Sequence, residues 1–84
     1  MESKLIAAVV FEVVRRRAPI FVGPLQVGTP LGADGVGLDS IALLELILEL
    51  EQRTGIRLRD ENLTLETLAT PGSLIRHLEQ ARLA

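Results

Sequence analysis

The chain has no cysteine, tryptophan or tyrosine, and its only aromatic residues are Phe11 and Phe21. Without cysteine there is no disulfide framework, no thiolate nucleophile and no thiolate metal cluster, and a single histidine, His77, cannot complete a histidine ligand set. A serine hydrolase would have to recruit that one distant imidazole as its base. The scarcity of aromatics removes the stacking platforms of single-strand binders, and a formal charge of −2 with a pI near 5.3 removes the basic footprint of a nucleic-acid protein. No apolar run approaches the roughly 20 residues that span a bilayer. The N-terminus lacks the basic start and small-residue cleavage site of a signal peptide. With Met1 read as a native start, the expectation is a soluble cytoplasmic protein that engages neither nucleic acid nor membrane.

What is present is aliphatic. Apolar residues make up 48% of the 84 positions, so the core has to be packed from Leu, Ile, Val and Ala, which favours helices. A chain this short buries only about 60% of its unfolded surface, enough for one domain over residues 1–84 but not for a large internal enzyme pocket. Eight of the eleven glycines and prolines fall between residues 18 and 38, which marks a long connection. Such loops are functional or disordered. Ile20, Phe21, Val22, Leu25, Val27 and Leu31 suggest that this one packs onto the core.

Helical periodicity brackets that loop. Leu5, Ile6, Val9, Val10 and Val13 gather on one face of a first helix over 3–17, with Ser3 as N-cap and Pro19 as stop. Arg15, Arg16 and Arg17 complement the negative end of its dipole and read as a solvated terminus. The strongest signal runs over 39–54, opened by Asp39 and Ser40 and closed by Gly55. Thr64 to Ala69 predicts a short third helix. Thr70 as N-cap with Pro71 at the first helical position opens a fourth, running to about Leu83, with Leu74, Ile75, Leu78 and Ala81 on one face. Ile56 and Leu58 belong to a packed connection, having no partner strand nearby. The expected fold is all-α, a monomeric four-helix bundle of three longer helices and one short. Its core is read as Leu5, Val9, Val13, Leu46, Ile47, Leu50, Ile56, Leu74 and Leu78.

The second helix carries two apolar stripes. With Ser40 at 0° and about 100° per residue, Leu43, Leu46, Ile47 and Leu50 fall between about 240° and 340° and face the bundle. Ile41, Leu44 and Leu48 fall between about 40° and 100°, flanked by Glu51 and Glu45. Either the long loop covers this second stripe or it is an exposed docking ridge; the acids on its rim point to the ridge. From Asp39 to Gln52 the helix holds Asp39, Glu45, Glu49 and Glu51 and no basic residue, a local negative field that would steer basic partner surfaces. The same charges also suit a plain solvated face.

Gly35-Val36-Gly37-Leu38-Asp39-Ser40-Ile41 places a serine in the first turn of a helix after a glycine-rich, flexible stretch. As bare chemistry, Asp39 or Ser40 is simply a helix cap. The segment Leu38-Asp39-Ser40-Ile41 nevertheless resembles the Asp-Ser-Leu attachment signature of acyl carrier and peptidyl carrier proteins. Ala42 to Leu58 resembles the second helix and following turn of that family, Asp60 to Leu68 its short third helix, and Thr70 to Leu78 its fourth. With the first helix and the long loop, the likeness covers nearly the whole chain.

The resemblance implies that Ser40 receives 4'-phosphopantetheine from a phosphopantetheinyl transferase using coenzyme A. The thiol of that arm would then hold an acyl, aminoacyl or peptidyl group as a thioester, loaded and collected by partner transferases and synthases. The serine on this reading carries cargo and catalyses nothing. Asp39 would help to orient the transferase and its metal, and Ile41, Leu44, Glu45, Leu48 and Glu51 would form the partner-binding surface. Ala42 stands where many fatty-acid carriers have an acid, and three arginines close the first helix. The pattern therefore resembles freestanding carriers of secondary metabolism, of polyketide or nonribosomal peptide type, more than primary fatty-acid carriers. The competing reading is a noncatalytic helical interaction module that carries no prosthetic group. His77 is assigned no role.

Overall fold

The computed structural model describes residues 2–58 and 63–83, and among these it contains three helices and no strand. Helix α1 spans Ser3–Arg17, α2 spans Ser40–Thr54 and α3 spans Pro71–Leu83. Asp39 caps α2, its carboxylate accepting from the Ala42 amide at 2.8 Å, and Gly55 ends it with φ +71° and its N–H on the Glu51 carbonyl. Thr70 and Ser73 cap α3 reciprocally, each side chain accepting the other's amide at 3.1 Å, with buried Pro71 between them.

Helix α1 packs against both α2 and α3. Ile6, Val10, Val13 and Val14 of α1 are buried with Leu46, Ile47 and Leu50 of α2 and Leu74 and Leu78 of α3. The expected core needs two corrections here. Leu5 is 54% exposed and Val9 only half-buried, because the buried face of α1 centres on Ile6, Val10 and Val13, leaving Leu5 about 100° to one side of Ile6. Ser3 lies inside the helix rather than capping it. Glu2 occupies the cap position without a side-chain bond, and the Ser3 hydroxyl donates to the Glu79 carboxylate of α3.

No short helix forms at 64–69. The segment makes one helical turn, with Leu68 N–H on the Thr64 carbonyl and Thr67 N–H on the Thr64 hydroxyl. A further turn would need an N–H from residue 71 for the Thr67 carbonyl, and Pro71 has none; the Ser73 hydroxyl donates to that carbonyl instead, at 2.7 Å. Leu65, 88% exposed, does not anchor the turn. Asp60, where the stretch resembling a carrier protein's short third helix begins, lies outside the described residues.

Residues 18–39 join α1 to α2, and their packing is divided. Leu31 and Leu38 are buried in the core and Phe21 and Leu25 pack against it, but Ile20, Val22 and Val27 stand exposed. Hydrogen bonds hold the loop at two places. Leu31 N–H bonds the Ala69 carbonyl and Gly72 N–H bonds the Val27 carbonyl, both at 2.9 Å, which stitches the loop to the start of α3. Arginine 15 straps the earlier stretch, donating to the Phe21 and Gly23 carbonyls with its guanidinium over the Phe21 ring. The arginine run is thus tied into the fold rather than simply solvated. Ile56 and Leu58 are buried in the connection after α2, as expected of a packed connection.

Candidate functional site

The approach to Ser40 is a closed loop. Val36 N–H bonds the Pro30 carbonyl at 2.9 Å, Gly37 N–H the Gly32 carbonyl at 2.7 Å and Leu38 N–H the Leu31 carbonyl at 2.8 Å. Gly35 is required by contact: a Cβ there would lie 2.2 Å from the Pro30 oxygen. Gly37, with φ +87°, makes the turn that delivers Leu38 into the core. The stretch expected to be flexible is hydrogen-bonded throughout and anchored by Leu31 and Leu38. These bonds and the buried Leu38 set where α2 begins.

Ser40 is the first residue of α2 and is exposed, and its hydroxyl bonds no described residue. Asp39 beside it is also exposed, with one carboxylate oxygen engaged by the Ala42 amide. The Leu43 amide reaches the Asp39 carbonyl at 2.9 Å, so the helix ladder begins there, and the Ser40 and Ile41 amides have no partner among the described residues. Free N–H groups at a helix start, with the dipole behind them, favour an anionic group such as a phosphodiester. A hydroxyl in that setting is open to modification from solvent. His77 is half-buried on α3.

Along α2 from Ser40, Ile41, Leu44 and Leu48 are 70%, 56% and 51% exposed. The long loop does not cover them. The acids around them are placed less uniformly than their spacing suggests. Glu45 is exposed, with Arg17 at 3.8 Å. Glu51 is half-buried, and its carboxylate accepts from the Leu58 amide at 2.7 Å, so it secures the 55–58 connection instead of standing free on the rim. Glu49, which sequence reasoning gave no site role, is the hub of the α1–α2 junction. Its carboxylate pairs with Arg16 and with Arg17 Nε at 2.9 Å, and Arg53 lies 3.8 Å away. The signal was available: Glu49 sits at about 180° on the wheel, next to the bundle stripe and opposite the basic end of α1.

Among the described residues no group of three or more His, Cys, Asp or Glu side chains is placed to hold a metal, and no helix is long and apolar enough to cross a membrane. The family model described as a phosphopantetheine attachment site matches residues 10–78, well over half of the chain, from the middle of α1 to the middle of α3. The comparison of the chain with curated proteins found no match.

Proposed function

Because the chain belongs to the acyl and peptidyl carrier family, whose domain is the attachment site for 4'-phosphopantetheine, we propose that it is a carrier protein modified at Ser40. The single observation that carries this reading is the exposed, unpartnered Ser40 hydroxyl at the start of α2, inside the matched segment. The residues present fit the group. The hydroxyl accepts the phosphodiester linkage, the free Ser40 and Ile41 amides and the helix dipole stabilise its negative charge, and the bonded 30–38 loop holds the attachment point fixed. When bound, the prosthetic arm supplies the thiol that a cysteine-free chain lacks. The chain's own residues anchor and present; none is assigned a catalytic step.

Carriers of this family work with a phosphopantetheinyl transferase and with biosynthetic enzymes. Here the partner surface is proposed to be Ile41, Leu44 and Leu48 with Glu45 beside them, and Glu51 shaping the far end through Leu58. Asp39 is proposed to serve both as cap and as a contact for the transferase. An acyl, aminoacyl or peptidyl cargo in secondary metabolism is the favoured context. Ala42 in place of an acid supports it, as does the pairing of Glu49 with Arg16 and Arg17, since both reduce the acidity of α2 relative to fatty-acid carriers. Incubation with coenzyme A and a broad-specificity phosphopantetheinyl transferase should raise the intact mass by one phosphopantetheine. An unchanged mass, with the transferase active on a control carrier, would favour the interaction module without a prosthetic group.

A further inference from the structure

A chain of backbone hydrogen bonds leads from the start of α3 to Ser40. Pro71 has no N–H, so Gly72 supplies the first amide of α3, one that no carbonyl within the helix can satisfy. It donates to the Val27 carbonyl at 2.9 Å. Val27 stands in a turn closed twice, by Thr29 N–H on the Gln26 carbonyl at 3.1 Å and by Gln26 N–H on the Thr29 hydroxyl at 2.9 Å. Further on, buried Leu31 donates its N–H to the Ala69 carbonyl at 2.9 Å and accepts at its own carbonyl from Leu38 N–H at 2.8 Å; Leu38 leads into Asp39 and Ser40. Gln26, Val27 and Gly28 are exposed, so no buried side chain holds the turn itself. Its tie to α3 is the bond at Gly72. A Cβ at that position would lie 2.9 Å from the Val27 carbonyl oxygen and 3.2 Å from the Val27 Cβ, inside the roughly 3.5 Å of ordinary contact. Glycine weakens a helix relative to alanine, and this close approach accounts for its presence in the first turn of α3.

We infer that Gly72 is a positioning residue for the modification of Ser40, acting from α3 through the 26–38 loop. Among the described residues α2 and α3 do not pack directly on each other, so the loop gives α3 its backbone link to the start of α2. A methyl group at position 72 pushes Val27 away. The displacement passes to Leu31, whose N–H and carbonyl are both engaged, and from there to Leu38 and the helix start. In the modification, the Ser40 Oγ bonds the phosphorus that bears the pantetheine arm of coenzyme A, and the bond from that phosphorus to the bridging oxygen breaks. The hydroxyl proton goes to a base of the transferase, and adenosine 3',5'-bisphosphate leaves with the electron pair. Such an attack is sensitive to displacements of an ångström or less at the nucleophile. The inference rests on the carrier reading of Ser40 and names a residue that sets how well the serine is presented.

The test compares wild type, Gly72→Ala, Thr29→Val and Leu78→Val as substrates of a broad-specificity phosphopantetheinyl transferase with coenzyme A, well below each melting temperature. Thr29→Val removes the hydroxyl that closes the turn and leaves α3 untouched, so it reads the same tie if Gly72→Ala does not fold. Both tie variants should lower kcat by about fivefold to tenfold with KM little changed. Leu78→Val trims the buried face deeper in α3, beside the Ser3–Glu79 bond, and should keep the wild-type kcat, because loss of folded protein alone raises the apparent KM. Amide exchange gives a readout without the transferase. In the tie variants Leu31 and Leu38 should exchange about tenfold faster relative to Val10 and Val13 of α1. Wild-type kcat in both tie variants, a loss confined to KM, an equal loss of kcat in Leu78→Val, or unchanged relative exchange at Leu31 and Leu38 would overturn the inference. Absence of the mass increment in wild type would instead refute the carrier reading on which it rests.

Discussion

Asp39 has one observed task and one proposed task, and two substitutions separate them. Its carboxylate caps α2 through the Ala42 amide. Removing it in Asp39→Ala should cost about 1 kcal/mol, read as a lower urea midpoint with an unchanged m-value. Asp39→Asn keeps a side-chain oxygen for the cap and should unfold close to wild type. If Asp39 also engages the transferase through its charge, the Asn variant should be modified more slowly while remaining fully stable. Wild-type modification rates for Asp39→Asn would confine the residue to capping. Legibility in the sequence was uneven for residues of this kind. Asp39 and Thr70 announced themselves because a cap needs only a short polar side chain beside an apolar period. Glu51 and Arg15 did not, since their partners are a backbone amide seven residues ahead and carbonyls six and eight residues ahead, which only the folded loops bring near.

Helix α2 is the element in which core and surface are most clearly divided. Leu46 and Leu50 are fully buried, whereas Leu44 and Leu48 are more than half exposed on the other stripe. Leu50→Ala should therefore destabilise by about 2–5 kcal/mol. Leu44→Ala should leave thermal unfolding nearly unchanged yet slow transfer to Ser40, since a truncated docking contact shortens the life of a complex. Comparable melting losses in both variants would contradict the division, and a wild-type transfer rate for folded Leu44→Ala would move docking elsewhere. The division was readable from the wheel because α2 combines a long regular period with two separated arcs. The face of α1 was harder to orient, because its apolar residues span a wide arc and only contact with both other helices selects Ile6, Val10 and Val13 over Leu5 and Val9. The 64–69 turn was misread for a local reason: it carries a helix-start pattern, but Pro71 withholds the next amide.

The whole molecule is assembled around α1, held to α2 by apolar packing and by the Glu49 hub, and to α3 partly through the loop bonds at Leu31 and Gly72. Glu49→Gln should lower stability by about 1–3 kcal/mol, since a largely shielded carboxylate loses charge-assisted bonds from more than one arginine. Glu45→Gln, at an exposed and looser pair, should change it by about 0–1 kcal/mol. Equal urea midpoints for the two variants would show that the junction is held by apolar contact alone. A scaffold built in this way presents Ser40, exposed and with its hydroxyl bonded to no described residue, at the start of α2, held by a bonded loop and followed by an exposed apolar ridge. The most direct test of that presentation is phosphopantetheinyl transfer to wild type and to Ser40→Ala, followed by peptide mapping by mass spectrometry. Wild type should carry one phosphopantetheine on the peptide containing Ser40, and the folded Ser40→Ala variant none. A mass increment that persists in Ser40→Ala, or that maps to Ser3 or Ser73, would contradict it.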